Sequence, residues 1–196
     1  MRVRRRDSHA GRIAAGRHLH PDLDSAPAGP EHHGMGGGIP WQRRVQYSSG
    51  FLALGLVAEA AAELAALEGA DRGRPEVLSA LCDLHSETKD WMAMIEVGRI
   101  LARARPDHPH GWISWAYALR EVQRVEEARA VLLEAEPRHP ACGVLHYNLA
   151  CYACLLGDRP EAERRLRRAL AIDGSWKDSA LDDPDLAAMR TWIAGL

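Results

Sequence analysis

The sequence has few of the residues from which β-sheets are built. It contains one Phe and four Tyr in 196 residues, and β-branched side chains are scarce beside Ala, Leu and Arg. Because aromatic and β-branched residues favour strands whereas Ala, Leu and Arg favour helices, the composition predicts an all-α protein. A chain of this length forms one domain, with or without a tail, and a second full domain is not expected.

A large net charge and long apolar runs are also lacking. The formal net charge is -2, which gives no support for a nucleic-acid or acidic-membrane partner, since such partners usually leave a basic excess on the binding domain. No run of about 18 apolar residues is present, so no membrane span is expected. The basic N-terminus is not followed by the continuous apolar region of a secretory signal. We therefore expect a cytoplasmic protein.

Motifs of the common enzyme classes are absent. The chain has no G-x-S-x-G, no H-E-x-x-H and no Gly-rich loop of the kind that cradles phosphate. The run GMGGG at residues 34–38 is not followed by Lys-Ser or Lys-Thr, so we interpret it as a flexible joint. The sequence gives no support for an enzyme, and we expect no cofactor and no metal.

Three of the four cysteines lie close together, in the stretch CGVLHYNLACYAC at residues 142–154. This uneven distribution differs from the disulfide framework of a small secreted protein, and it predicts free thiols in a reducing compartment. One interpretation of the stretch is the interior of a helix. The alternative is a thiol-based redox or metal-binding protein that uses Cys142, His146, Cys151 and Cys154.

The first part of the chain, residues 1–40, differs in composition from the rest. It holds four of the eleven prolines and five of the ten histidines, with few aliphatic side chains. Such a segment buries too little apolar surface to offset its ordering entropy, so we expect a disordered tail rich in Arg, His, Gly and Pro. A separate hypothesis is that Met35 is the true start of the protein.

From Trp41 onwards, amphipathic stretches of helical length alternate with short breaks. A shift of 34 positions superposes residues 110–140 on residues 144–174 without an insertion. The framework positions then agree in type: Trp115 with Leu149, Ala116 with Ala150, Ala128 with Ala162, Leu132 with Leu166, and Ala135 with Ala169. Two backward shifts of the same length extend the pattern towards Trp41, which predicts an internal repeat.

A period of 34 residues with two helices resembles the tetratricopeptide repeat (TPR) family, and the resemblance covers residues 41–174. The best copy is residues 143–174. There Gly157 suits the left-handed end of the first helix, and Asp158 caps the second helix with Glu161 three places on. Ala150 and Ala162 allow close approach of the two helices.

The resemblance implies a right-handed α-solenoid of about four helical hairpins, over residues 41–74, 75–108, 109–142 and 143–174. Residues 175–196 are expected to form capping helices that cover the last apolar face. The sequence departs from the family pattern at several framework positions. Lys89 and Gln123 stand where Gly is usual, Gly98 stands where a large residue is usual, and Arg44 makes the first copy the least regular.

In this family the first helix of each repeat lines a concave face, which implies a non-catalytic protein-protein interaction module or adaptor that binds a peptide or partner helix. Carried over position by position, the predicted partner-binding residues are Glu76, Ser79, Asp83, Glu87, His110, Ile113, Tyr117, Arg120, Glu121, Tyr147, Asn148, Cys151 and Cys154. The carboxylate clamp of chaperone-binding members is not expected, because only Asn148 matches it in type. A subunit that buries an apolar edge in an oligomer is a further alternative.

Overall fold

A computed structural model describes residues 38–196. Nearly all of the tail predicted over residues 1–40, and the alternative start at Met35, lie outside the described residues. Within residues 38–196 the secondary structure consists of helices and turns without strands. The all-α prediction is thus confirmed.

Eight helices of residues 38–196 form four consecutive hairpins. The pairs are α1 (Trp41–Ala53) with α2 (Val57–Ala65), α3 (Pro75–Thr88) with α4 (Trp91–Ala104), α5 (Pro109–Glu121) with α6 (Val125–Ala135), and α7 (Gly143–Leu155) with α8 (Arg159–Ile172). Short 3-10 helices, Gly69–Gly73 and Glu136–Arg138, follow α2 and α6. The longest helices have 14 residues, and none in the described part combines the length and apolar character that a membrane span needs.

The chain ends in three short elements that follow the last hairpin. They are α9 (Trp176–Asp182), a 3-10 helix (Pro184–Met189) and α10 (Arg190–Ala194). We call residues 176–194 the C-terminal cap. It packs against α7 and α8, so that Trp176, Leu186, Met189 and Ile193 join the core of the preceding hairpins.

The turn within each hairpin has the same geometry in all four copies. One residue per turn has a positive φ: Gly55 (74°), Lys89 (57°), Gln123 (63°) and Gly157 (77°), each 34 positions after the one before. In every case the next amide donates to the carbonyl five residues earlier, over 2.8 to 3.0 Å. This pattern is the Schellman motif, which satisfies carbonyls at the end of the first helix.

Two of those positive-φ residues, Lys89 and Gln123, are not glycine. Their side chains make the left-handed conformation costly, yet both turns keep the geometry of the glycine turns. The second helices also begin alike in two copies, where Asp90 accepts from the amide of Ala93 at 3.2 Å and Asp158 from that of Glu161 at 3.3 Å. The cap that the sequence predicts at Asp158 is confirmed.

Helices α4 and α5 approach each other closely through two glycines. A Cβ atom on Gly111 would lie 2.5 Å from the backbone nitrogen of Ala102, and one on Gly98 would lie 2.8 Å from that of Trp115. The departure from the family pattern at Gly98 therefore has a local cause, because the backbone of α5 occupies the space that a larger side chain would need.

The buried apolar side chains divide along the chain. One continuous cluster runs from Met94 in α4 to Ile193 in the C-terminal cap. A separate and smaller cluster joins α1, α2 and α3 through Ala60, Leu64 and Val77. The core is therefore concentrated in the C-terminal half of the solenoid.

Candidate functional site

The first helices of successive hairpins lie side by side, because α1 contacts α3, α3 contacts α5, and α5 contacts α7. Their shared surface is the concave face that the repeat pattern implies. All the predicted partner-binding residues belong to α3, α5 and α7. Their surroundings separate them into an open part and a covered part.

The open part of the concave face is acidic. On α3, Glu87 is exposed and has no ion pair within residues 38–196, while the side chains of Glu76 and Asp83 are 40% and 21% exposed. Glu76 lies 3.7 Å from Arg105 at the surface, a separation that gives little stabilisation in water. On α5, Glu121 is 18% exposed and pairs with Arg120 at 2.9 Å. The open part therefore presents the carboxylates of α3 to solvent.

His110 links α3 to α5 beneath this acidic surface. Its ring is 5% exposed, with Nδ1 2.7 Å from the hydroxyl of Ser79. Its Nε2 lies 3.3 Å from a carboxylate oxygen of Asp83, without the geometry of a hydrogen bond. Ser79 lies within a helix, where neighbouring amides are engaged in helical bonds, so no oxyanion hole is formed there. The group therefore fixes two helices together and does not resemble a hydrolytic triad.

The covered part of the concave face lies on α5 and α7. Residues expected to line an open groove are buried there: Ile113, Tyr117, Tyr147, Asn148 and Cys151. For the α7 residues that expectation is corrected, because the 3-10 helix of the C-terminal cap packs against α7. Tyr117 also contacts Trp91 edge to face at 5.7 Å. Cys154 remains partly exposed at the end of α7.

A polar network holds the C-terminal cap on this part. Asp183 accepts a hydrogen bond from the hydroxyl of Tyr147 at 2.8 Å, and the thiol of Cys151 lies 3.7 Å from the same oxygen. Arg120 of α5 donates through Nε to Asp185 at 2.7 Å and makes a second bond through Nη2. Because this pair is bidentate and largely shielded from water, it is a strong and directional contact.

Burial sets the protonation of these groups. It raises the pKa of Asp183, and the amide of Asp185 and the hydroxyl of Tyr147 offset part of that rise by hydrogen bonding. Burial also raises the pKa of the Tyr147 hydroxyl and of the Cys151 thiol, with the neighbouring Asp183 charge adding to it. Burial lowers the pKa of Arg120, but the hydrogen bonds and charge of Asp185 more than offset it, so the net shift is upward.

On α7 the covered part leaves two polar groups without partners. The hydroxyl of Tyr152 and the side-chain nitrogen of Asn148 are buried and make no hydrogen bond within residues 38–196. Burial raises the pKa of the Tyr152 hydroxyl. A buried donor without an acceptor destabilises the folded protein. The packing of the C-terminal cap on α7 leaves this destabilisation in place.

The thiol and metal alternative is not favoured. All four cysteines are free, and burial raises the pKa of Cys142, Cys151 and Cys154, which opposes formation of the reactive thiolate. His146 is 3% exposed and its Nε2 lies 3.0 Å from the carbonyl of Pro140. It packs between helices, at the position where the repeat has a large residue.

The potential metal ligands that lie close together in the structure are not the set of Cys142, His146, Cys151 and Cys154 that the sequence suggested. Among the described residues, the ligand atoms of Cys151, Asp183 and Asp185 lie within 4.8 Å of one another. Tyr147 and Arg120 already engage both carboxylates. A divalent cation would also be repelled by the guanidinium of Arg120, so the arrangement acts as a structural ion-pair network.

Sequence reasoning missed the part that Asp183 and Asp185 play on this face. The Asp183-Pro184 step indicates only the start of a helix. Asp183 does cap the 3-10 helix, by accepting from the amide of Asp185 at 2.9 Å. Its second role, as a bond to a tyrosine 36 positions earlier, has no local signal.

Solved structures with the same fold are found at low sequence identity. MamA from Desulfovibrio magneticus RS-1 superposes with a TM-score of 0.64 and 18% identity, covering 81% of this chain and 91% of that one. TTC0263, a thermophilic TPR protein of Thermus thermophilus, gives 0.59 and 20%, covering 80% and 100%. By sequence, no protein-family model and no curated protein matches the chain. Residues 38–196 therefore have the fold of a TPR protein, a right-handed α-solenoid with a C-terminal cap.

Proposed function

We propose that this protein is a non-catalytic interaction module that binds a basic segment of a partner protein along the open part of its concave face. The observation that carries the proposal is the row of carboxylates along α3, formed by Glu76, Asp83 and Glu87. Opposite charge on the partner would speed encounter and set the register of binding.

The scaffold supports this role because it is rigid beneath those carboxylates. His110 and Ser79 join α3 to α5, and the close glycine contacts join α5 to α4. A preorganised surface loses less conformational entropy when a peptide binds. The four free thiols suit a reducing compartment, and we place the protein in the cytoplasm.

Binding of a labelled short peptide of alternating Arg and Ala, followed by fluorescence anisotropy, tests the proposal. The double variant Asp83→Lys with Glu87→Lys should bind it about tenfold more weakly, since two partly exposed charge pairs are lost and replaced by repulsion. The affinity of the unaltered protein should fall as salt is raised.

A charge-matched control lies on α6, outside the concave face. Glu126 and Glu134 are exposed and unpaired within the described residues, so Glu126→Lys with Glu134→Lys changes net charge equally. This control should leave the affinity nearly unchanged. Equal weakening in both double variants would mean that the peptide responds to net charge alone, and the proposed surface would be wrong.

A further inference from the structure

The C-terminal cap occupies the concave face in the way that a bound peptide would. Its 3-10 helix lies against α7, the helix that the repeat pattern assigns to partner contact. Two carboxylates and one aliphatic side chain make the closest attachments: Asp183 to Tyr147, Asp185 to Arg120, and Leu186 in a fully buried position. The attachments thus follow the order acid, any residue, acid, aliphatic.

We propose that the C-terminal cap is a displaceable occupant of a second peptide site, formed by α5 and α7, and that this site accepts an acidic and apolar segment of a partner protein. The occupant is identified by charge complementarity, because Arg120 is the cation of the site and pairs with Asp185 of the cap as well as with its neighbour Glu121. This site uses residues different from those of the acidic open part, so either site can exist without the other.

The construction of the C-terminal cap favours displacement. Its elements have seven, six and five residues, which are too short to be stable as isolated helices. Residues 173–175, which connect it to α8, are all exposed. Closure also buries the carboxylate of Asp183, whose charged form is disfavoured there. A partner that supplies equivalent contacts would replace the cap without exposing the apolar surface of α7.

The unpartnered polar atoms give an independent reason to expect another occupant. Tyr152 is buried on α7, and its hydroxyl has no acceptor within residues 38–196. The amide nitrogen of Asn148 is in the same condition. The C-terminal cap therefore satisfies this surface incompletely, and a peptide with further acceptors would bind it with fewer unmade hydrogen bonds.

The test uses the full chain and a labelled peptide with the sequence of residues 181–194, LDDPDLAAMRTWIA, added in trans. Asp185→Lys breaks the attachment of the chain's own cap, so the variant should bind the peptide at least about tenfold more tightly than the unaltered protein. Adding Arg120→Glu to that variant should remove the gain, since the peptide then loses its cation. Asp178→Lys, at an exposed carboxylate of α9 that forms no ion pair with the described residues, is the matched control and should behave like the unaltered protein.

Hydrogen exchange of the unaltered protein supplies a second measurement, which does not depend on the folding of any variant. The amides of residues 183–194 should exchange faster than those of α7 and α8, because the cap opens without global unfolding. Exchange of all three segments together would show that the cap is an inseparable part of the core and would overturn the proposal, as would failure of Asp185→Lys to fold.

Two further outcomes would also contradict displacement by a peptide. If Asp185→Lys folds but binds the peptide no better than the unaltered protein, the covered surface is not a site. If light scattering shows that the unaltered protein forms dimers by exchange of caps between copies, the site serves self-association instead of a separate partner.

Discussion

Hairpin α1–α2 and hairpin α7–α8 follow the same repeat, but they differ in how much of their surface is covered by neighbouring elements. The first packs its own small core around Ala60, Leu64 and Val77, and the large side chains of Leu54 and Tyr47 remain exposed. The second is covered by α6 on one side and by the C-terminal cap on the other. A repeat sequence therefore fixes the shape of each hairpin, whereas its position in the stack decides how much surface it buries.

The concave face shows the same contrast. On α3 Glu87 is exposed and Asp83 is half-buried, whereas on α7 Tyr147 and Cys151 are buried under a segment of the chain itself. Partner binding in the two parts consequently makes different demands. The open part requires only an occupant of opposite charge, while the covered part requires an occupant that competes with the C-terminal cap.

The largest expected effect concerns the α4–α5 contact, which connects the two halves. Gly111→Ala places a Cβ atom 2.5 Å from the backbone of Ala102, so the helices must separate, and we expect a loss of about 3 kcal/mol in the free energy of unfolding. Urea denaturation followed by circular dichroism measures it. Gly50→Ala, in the exposed interior of α1 with open space around it, should instead stabilise by about 0.5 to 1 kcal/mol. A stable Gly111→Ala protein would show that the two helices are not closely joined.

A smaller effect separates the cores of the two halves. Ala162 and Ala60 occupy equivalent repeat positions and are both fully buried. Ala162→Leu should overpack the hairpin α7–α8 and cost about 2 kcal/mol, because its neighbours are fixed on both sides. Ala60→Leu should cost less than half of that, since the terminal hairpin α1–α2 relaxes more easily. Thermal unfolding of both variants checks the difference, and equal losses would mean that the two cores are equally rigid.

Acid should loosen the C-terminal half through Glu161. Hydrogen bonds from Arg164 and Arg165 lower the pKa of Glu161 from 4.5 to about 2. Since the folded pKa is the lower one, the stabilisation is complete above the ordinary pKa and is lost as pH falls towards 2. We expect a loss of about 1 to 2 kcal/mol, after allowance for screening of the pair by water.

Comparison of the unaltered protein with Glu161→Gln isolates that contribution. The variant should be less stable at neutral pH, and the two urea midpoints should converge in acid. The opposite effect of Asp183, whose raised pKa makes its burial less costly in acid, is common to both proteins and cancels. Glu163→Gln, at a carboxylate that pairs with Arg159 at the surface, should follow the unaltered protein. Parallel midpoints for Glu161→Gln and the unaltered protein at all pH values would contradict the assignment.

The repeat pattern was sufficient to predict the helical fold because its signals are local. Gly157, Asp158 and the small residues Ala150 and Ala162 each act within one hairpin, and each has the role expected from the sequence. The repeats that depart from the family pattern keep the same turns as the regular ones. Lys89 keeps the turn although it lacks the freedom of glycine, since the flanking helices impose the conformation.

The arrangement of the concave face was only partly predictable. The acidic character of α3 follows from which of its residues the pattern directs to the groove, where Glu87 is exposed and Asp83 is half-buried. The burial of Tyr147 and Cys151 could not be derived in the same way, because it depends on a segment beyond the repeats that turns back over α7. A repeat pattern carries no information about the path of a chain after the pattern ends.

The smallest expected effect concerns the turns within the hairpins. It tests whether they contribute to the difference in stability between the N-terminal and C-terminal hairpins. Lys89 lies in the turn after α3, and Gln123 lies in the turn after α5. Both adopt a left-handed conformation, which costs a residue with a side chain about 1 kcal/mol. Lys89→Gly and Gln123→Gly should therefore each stabilise the protein by up to about 1 kcal/mol, and Gly157→Ala should destabilise it by a similar amount. Equal gains in stability for Lys89→Gly and Gln123→Gly, measured as shifts in the urea midpoint, would show that the N-terminal and C-terminal hairpins differ in core burial and not in their turns. A gain in stability for Gln123→Gly but not for Lys89→Gly would show instead that a strained turn lowers stability only where the surrounding core is rigid.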